Sequence, residues 1–557
     1  MIKKLILVWC VALLSVGAMA QNRHEDAYKK YRSERQREFE DYKARANARY
    51  ADFLKKRWQD YNAESGEKPE TVVQPRPERI TDPAVKPLPE VRPDLERIRK
   101  IVEQNGRGIR PAPQVRPKNE HGMRPRPEIR PRPEVRPQPG VKPRPRPRPA
   151  KPNICPPKPQ MPKVQPELKP QPEPQPETPD IRKEEEEDNS DEELSIDFFG
   201  DGLRMKCSDE LTPRLERTSE DGFAALWKEW SSEADDVVDC MAVYAREHHL
   251  NGWGHYQLAK RVSEAAYPAD RPNERIAMQC FLLSQLKFHA QIALCGERFV
   301  LLLPFKEAVY NVPYLVVGNR RHYIYSYGHN PSEGFRTYDR QFEYADRNLS
   351  LHLDGRMQVG LKQEMAFGRM SRLLGAELKA RINVGEVAMM LHCPMMKGEV
   401  YYAQGVDADL AQSLLPALRR AIAGKSEVEA VQYLLNFVQN GFDYATDEEL
   451  FGRQKQLFIE ESFYYGKNNC KDRVGVFSWL VRELLGLKMV SISYEGNAAS
   501  KGVGHITCGV RFSSDVAGDA FLYGGDRYVM CDPTYINARI GMTMPAFRQS
   551  KATLRAL

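Results

Sequence analysis

The pattern of hydrophobic and polar positions changes several times along the chain, and each pattern predicts a different kind of structure. Residues 1–20 open with two lysines, continue with the apolar run Leu5–Val16 and end in the small-residue motif Ala18-Met19-Ala20. This is the pattern of a cleaved secretory signal peptide, and its apolar run is too short to span a bilayer stably. We therefore expect an exported protein that is periplasmic or extracellular.

Residues 21–66 predict a charged helix with one aromatic face. Tyr28, Phe39, Tyr50 and Tyr61 recur at intervals of eleven residues, and a second aromatic series follows each of the first three by three positions. Eleven residues make three turns of a nearly straight helix, so both series fall on one face. Two interpretations stand: a docking or self-association helix, and a helix that packs on its own globular domain.

Residues 67–195 predict an extended linker, because 31 of the 41 prolines of the chain lie between Pro69 and Pro179. Proline cannot donate to a helix or sheet ladder, and its alternation with arginine and lysine favours polyproline II. Acidic residues fill eight of the ten positions 184–193 at the end of this segment. The linker is either a spacer whose Pro/Arg arm contacts anionic envelope polymers or a solvated segment with no specific partner.

Residues 196–557 have the ordinary hydrophobicity of globular structure, and the fold class that they predict is α+β. A mixed domain of unassigned role is expected at 196–400, with helical periodicity over 220–290 and strand-like runs after it. Helical patterns return at 408–441, at the start of a second domain at 401–557. At 362 residues, this part of the chain is long enough to form two domains.

The net charge is concentrated outside the globular part. The chain of 557 residues has 83 basic and 76 acidic residues, but residues 1–195 carry a net charge of +9 and residues 196–557 a net charge of −2. A nucleic-acid-binding domain normally presents a basic surface. We therefore expect no nucleic-acid partner for the globular part.

Signal-peptide cleavage leaves nine of the ten cysteines, an odd number that requires one free thiol or an intermolecular bond in an exported protein. The soft side chains of Met389–Met396 would suit copper(I). The interpretation that we prefer is a buried strand with gap-filling methionines. We expect neither a metal nor a cofactor.

Cys470 is the thiol with the clearest chemical setting. Apolar residues at helical spacing follow it up to Gly486, which is a good helix C-cap. Cys470 is therefore placed at the first turn of a helix, where backbone N–H groups and the helix dipole stabilise a thiolate. A nucleophilic cysteine requires that setting.

Two predicted strands, at 505–511 and 526–532, supply partners for this thiol. A loop containing Gly524 and Gly525 was expected to join them as an antiparallel pair. If residue 511 faces residue 526, His505 lies directly opposite Asp532, and the carboxylate fixes the tautomer of the imidazole. Cys470, His505 and Asp532 then form a thiol triad.

These motifs resemble the transglutaminase-like superfamily of papain-related thiol enzymes, in particular its bacterial secreted members. The resemblance covers about residues 410–557 and rests on motifs in the order Cys, His, Asp. The motifs that carry it are Cys470-Lys-Asp-Arg, Gly504-His505, Tyr528-Val-Met-Cys-Asp-Pro-Thr-Tyr, Phe442-Asp-Tyr-Ala-Thr-Asp, Phe451-Gly-Arg-Gln and Glu460-Glu461.

The resemblance implies a core with Cys470 as nucleophile, His505 as base and Asp532 as the group that orients the base. It implies acyl transfer from a peptide or amide carbonyl through a thioester, to water or an amine. We favour a protease or amidase over a cross-linking enzyme because water is always available as acceptor. The alternative is a catalytically inactive envelope scaffold or binding protein. Lys471 replaces an acidic residue that is frequent in the family, and we expect its charge to stabilise the thiolate further. The Cys470 backbone N–H and Gln454 are the sequence-based candidates for an oxyanion-hole donor.

Overall fold

The computed structural model describes residues 30, 32–68, 192–325 and 334–557. The signal peptide at 1–20 and nearly all of the linker at 67–195 lie outside these residues, so those predictions stay predictions. Within the described residues, no helix combines the length and the apolar character that crossing a membrane requires. The described part is an α+β structure built on antiparallel sheets.

Helix α1 covers residues 32–54, so the prediction of a helix over 21–66 is wrong at its C-terminal end. The chain then leaves the helix and forms strand β1, Gln59–Tyr61, which pairs antiparallel with residues 335–337. A strand is possible here because the chain turns at 55–58 and adds to the edge of an existing sheet.

The C-terminal half of α1 packs on its own chain, as the second interpretation of the aromatic face required. Tyr50 is buried, and its ring centroid lies 4.8 Å from that of Trp227. Phe39 and Tyr42, near the other end of the helix, are 44% and 43% exposed. Self-association through this exposed part stays a prediction.

The described chain up to Thr337 combines a helical layer with a six-stranded antiparallel sheet. The strand order is β1-β8-β4-β5-β7-β6. After the hairpin of β2 and β3, the chain forms four helices and then five strands of this sheet. The bounds are β2 Glu192–Phe198, β3 Asp201–Cys207, α2 Glu220–Glu233, α3 Asp235–Glu247, α4 Gly252–Ala266, α5 Pro272–Gln285, β4 Gln291–Cys295, β5 Arg298–Leu303, β6 Tyr314–Val317, β7 Arg320–Tyr325 and β8 Phe335–Thr337.

The central strands of this sheet are buried on both faces. Ile292 and Leu294 belong to the core beneath the helices, whereas Ala293 and Cys295 belong to a second core on the other face. This alternation follows the period of two along a strand. Strand β2 begins at Glu192, so the predicted linker end at residue 195 lies four residues too late.

A small antiparallel strand pair and short helices follow this sheet, and the predicted division into domains at 196–400 and 401–557 stays a prediction. The bounds are β9 Lys362–Ala366, α6 Gly368–Leu374, β10 Lys379–Asn383, α7 Val384–Met390 and α8 Gly398–Tyr402. The predicted strand at Met389–Met396 is wrong, because helix α7 runs into this segment and a turn follows. Met389, Met390 and Met396 nevertheless fill the hydrophobic core, as gap-filling methionines do.

The C-terminal part of the chain places a central helix against a five-stranded antiparallel sheet with the order β15-β16-β14-β13-β17. The central helix is α13. The bounds are α9 Ala408–Ile422, α10 Glu427–Gly441, β11 Asp443–Tyr444, α11 Asp447–Phe451, α12 Ile459–Tyr465, β12 Lys467–Asn468, α13 Cys470–Leu485, β13 Met489–Tyr494, β14 His505–Val510, β15 Ala520–Tyr523, β16 Asp526–Cys531 and β17 Ala552–Ala556.

Strands β14 and β16 are antiparallel neighbours, as predicted, but the predicted register is wrong. Cys508 faces Cys531 directly, so His505 is displaced by two residues from the position opposite Asp532. The error arises because Gly524 and Gly525, both with positive φ, turn the chain between β15 and β16 rather than between β14 and β16. A displacement of two residues keeps a side chain on the same face of the sheet.

Candidate active site

Cys470 is the first residue of helix α13, and its side chain is fully buried. Asn469 has an extended backbone and is the residue that directly precedes the helix. Asp472 stabilises the turn by accepting hydrogen bonds from the backbone N–H groups of Asn469 (3.1 Å) and Leu457 (2.9 Å). The helix begins at Cys470, and Gly486 ends it in the left-handed conformation, as expected.

His505 and Asp532 are in direct contact across the two strands. The Nε2 atom of His505 lies 2.8 Å from Oδ2 of Asp532. The other carboxylate oxygen, Oδ1, accepts hydrogen bonds from the backbone N–H groups of Thr534 (2.9 Å) and Tyr535 (3.2 Å). The carboxylate is therefore held by the turn that follows β16 and presents one oxygen to the imidazole.

The pKa of His505 is raised to about 10 in this setting. Burial on its own would lower this pKa, since a charged imidazole loses its hydration. The negative charge of Asp532 and its hydrogen bond outweigh burial, and Cys470 adds a further contribution in the same direction. The imidazole is consequently cationic at neutral pH.

The structure brings all three predicted residues together. The Nε2 atom of His505 contacts Asp532, and Cys470 lies close enough to the same ring to raise its pKa. The Nδ1 atom of His505 has no hydrogen-bond partner among the described residues.

The triad is closed to solvent. The relative exposures of Cys470, His505 and Asp532 are 0%, 1% and 2%. Phe547, in the short 3₁₀ helix Pro545–Phe547, stacks on the imidazole of His505 with ring centroids 5.1 Å apart. Tyr494 stacks on Phe547 in turn, at 5.6 Å. Phe547, from the segment after β16, therefore covers the imidazole of His505.

Arg473 is a buried part of the site that the sequence did not single out for a role. Its guanidinium donates to Oδ1 of Asn468 (3.0 Å) and to the backbone carbonyl of Phe442 (2.9 Å). Weaker bonds reach the carbonyls of Gln439 (3.3 Å) and Pro533 (3.4 Å). Burial lowers the pKa of Arg473 to about 10, so the guanidinium stays charged at neutral pH.

Gln439 holds the turn that presents Asp532. Its amide Nε2 donates to the backbone carbonyls of Asp532 (2.9 Å) and Tyr535 (2.8 Å). Its Oε1 accepts from the backbone N–H of Asn537 at 3.1 Å. A helical glutamine on α10 thus fixes a loop almost a hundred residues later, which explains why local sequence patterns did not reveal it.

Lys471 does not have the role expected from its charge. Its ammonium group forms a buried ion pair with Asp447, which also accepts a hydrogen bond from Nδ2 of Asn469 at 2.7 Å. The pair is close to neutral, so Lys471 adds no free positive charge beside the thiol. It ties α13 to the short helix α11 instead.

Gln454, a sequence-based candidate for the oxyanion hole, is exposed and does not join the buried triad. Cys508 and Cys531 are free, buried thiols on the core side of the sheet, directly opposite each other. Burial raises the pKa of both thiols well above the ordinary value, which suits packing and not nucleophilic chemistry.

The described residues contain no group of three His, Cys, Asp or Glu side chains arranged to hold a metal ion. Neither a protein-family model nor a curated protein matches this chain. The function is therefore argued from the geometry of the site.

Proposed function

We propose that this protein is an exported, cysteine-dependent acyl-transfer enzyme that acts on peptide or amide bonds. The observation that carries the proposal is the 2.8 Å contact between His505 and Asp532 beside Cys470 at a helix start. A thiol, an imidazole and an orienting carboxylate in this arrangement are the parts that thiol-dependent acyl transfer requires.

The charge state of the site fits the first step of such a reaction. A cationic His505 next to Cys470 favours an ion pair in which the sulfur is a thiolate. The thiolate attacks the carbonyl carbon, and the imidazolium gives its proton to the leaving amine. The neutral imidazole then takes a proton from water, which cleaves the thioester and releases the acid. Asp532 keeps the imidazole oriented throughout.

The fold around the triad supports a transglutaminase-like core. Helix α13 starts at the thiol and packs on strand β14, which starts at His505. Asp532 follows β16, the strand next to β14. The order of the three residues and the antiparallel sheet agree with what the resemblance implies, and hydrolysis is favoured over cross-linking because water is always present as acceptor.

The burial of the triad favours a second function, that of a catalytically inactive envelope scaffold or binding protein. A histidine and a carboxylate that are almost fully buried also serve as a structural pair. In that function the Pro/Arg arm would contact anionic envelope polymers, and the exposed part of α1 would support self-association. Both contacts are compatible with an active enzyme as well.

The two functions are separated by turnover of peptide p-nitroanilides, with product release followed by absorbance and Cys470→Ser as the matched control. An active enzyme releases p-nitroaniline, and a hydroxylamine-sensitive acyl adduct on Cys470 appears in intact-mass spectra. Substrates of varied sequence are needed because the specificity is open. Equal, background-level release by the wild type and Cys470→Ser would favour the scaffold.

A further inference from the structure

Two residues near Cys470, Tyr444 and Asn468, each have one buried polar atom without a hydrogen-bond partner among the described residues. The hydroxyl of Tyr444 and the side-chain Nδ2 of Asn468 are buried, and neither has a partner among the described residues. Leaving such a group unpaired costs about 1–3 kcal/mol. A cost of this kind at a catalytic site indicates donors reserved for a substrate.

The backbone sets these two residues side by side. Strands β11 and β12 form a short parallel pair in which Tyr444 faces Asn468. Asn468 precedes Cys470 by two residues, so the same pair ends at the start of helix α13. The guanidinium of Arg473 lies over the Tyr444 ring, and its Cζ atom is 5.6 Å from the centroid of that ring.

Arg473 also fixes which way the Asn468 amide is turned. A guanidinium can only donate hydrogen bonds, so the atom that it contacts at 3.0 Å must be the amide oxygen. The amide nitrogen of Asn468 is then directed away from Arg473, with two N–H groups unused. Arg473 is a positioning residue for this donor.

The Tyr444 hydroxyl keeps its proton. Burial raises the pKa of Tyr444 far above its ordinary value, and the nearby Cys470 raises it further. The influence of Cys470 also shows that the hydroxyl and the thiol lie in the same electrostatic environment. Tyr444 is therefore a neutral donor next to the nucleophile at every pH at which the enzyme would work.

We propose that the Tyr444 hydroxyl and the Asn468 amide donate hydrogen bonds to the carbonyl oxygen of an acyl group under attack by Cys470. This inference rests on the acyl-transfer function proposed above. It assigns two catalytic residues that the sequence-based candidates did not include.

The chemical step needs both donors at one moment. When the Cys470 sulfur forms its bond to the carbonyl carbon, the electron pair of the C=O double bond moves onto oxygen. The two hydrogen bonds stabilise this oxyanion until the double bond reforms and the C–N bond breaks. The departing amine takes its proton from His505, so charge and protons balance.

The test compares acylation and alkylation of Cys470 in the full-length protein. Acetylation by p-nitrophenyl acetate passes through an oxyanion, whereas alkylation by iodoacetamide does not. The variants are Tyr444→Phe and Asn468→Asp, the second of which keeps an oxygen for Arg473. Both rates are read as adducts on Cys470 by intact-mass spectrometry.

We expect each variant to lower the acetylation rate by about 10²–10³-fold, the loss that follows removal of one oxyanion donor. Alkylation should stay within about threefold of the wild type. Tyr325→Phe is the matched control, because its hydroxyl is also buried without a partner among the described residues but belongs to strand β7 of the six-stranded sheet. This control should change neither rate.

Acetylation of both variants at the wild-type rate would overturn the inference and leave the acyl-transfer function intact. Failure of both iodoacetamide and p-nitrophenyl acetate to modify Cys470, in the wild type and also in Phe547→Ala, which uncovers the site, would overturn the function itself. Equal losses of acetylation and alkylation would also overturn the inference, since they would assign both residues to the thiol and not to the carbonyl.

Discussion

The ion pair of His505 and Asp532 makes the stability of the protein depend on pH in a definite direction. The pKa of His505 is about 10 in the folded state, against 6.5 for an ordinary histidine. Because the folded-state pKa is the higher one, the stabilisation is complete below about pH 6.5 and is lost as the pH rises toward 10. Each pH unit between these values removes about 1.4 kcal/mol.

Raising the pH from 7 to 10 should therefore lower the free energy of unfolding by about 4 kcal/mol through this one residue. His505 is 1% exposed, so solvent screening does not reduce this value appreciably. Other groups titrate between pH 7 and 10 in both proteins, whereas only the imidazole is missing from His505→Gln. The quantity to measure is therefore the free energy of unfolding of the wild type minus that of His505→Gln.

Urea unfolding of both proteins, followed by circular dichroism at half-unit steps from pH 7 to 10, gives this difference. We expect the difference to shrink steadily by about 4 kcal/mol across the series. A difference that stays constant within about 1 kcal/mol would refute the reasoning. It would mean that Asp532 does not hold His505 in its charged form.

Three further substitutions test other contacts of the site. Phe547→Ala should uncover His505 and raise the rate at which iodoacetamide alkylates Cys470 by about tenfold or more. The rate is read by mass spectrometry, and an unchanged rate would show that Phe547 does not limit access to the thiol. Arg473→Met should lower the free energy of unfolding by about 3 kcal/mol or more, because several buried acceptors lose their donor. A loss below about 1 kcal/mol in urea titrations would contradict this role of the Arg473 hydrogen bonds. Lys471→Met should cost about 3–5 kcal/mol by removing the counter-charge of the buried Asp447 carboxylate, and adding Asp447→Asn should restore part of it; no recovery in the double variant would show that the ion pair is not the cause.

The residues of the triad could be predicted from the sequence because each one follows from a local pattern. Helical spacing after Cys470 sets where α13 begins, and the alternation along a strand sets which face His505 and Asp532 share. The register could not be predicted in the same way. The chain between β14 and β16 includes the extra strand β15, and nothing in the local pattern showed which two strands the glycine turn joins.

The residues around the triad could not be predicted because their roles depend on contacts between distant parts of the chain. Gln439 acts on a loop that begins at Asp532, and Lys471 finds its counter-charge in Asp447. Tyr444 gains its significance only from lying beside Asn468 in the β11–β12 pair. The same limit applies to α1, whose aromatic period continues into β1 although the helix has ended.

The most direct test of the central claim is the alkylation of Cys470 by iodoacetamide at pH 7 in the folded protein. Cys508 serves as an internal control, because it is a buried thiol of the same domain with a strongly raised pKa. The measurement is made in the wild type, in Phe547→Ala to open the site, and in each of these with His505→Gln added. We expect Cys470 to react much faster than Cys508 and to lose this advantage when His505 is replaced. Two results would contradict the account. One is that Cys470 reacts as slowly as Cys508 in both the wild type and Phe547→Ala, and the other is that Cys470 reacts equally fast with and without His505.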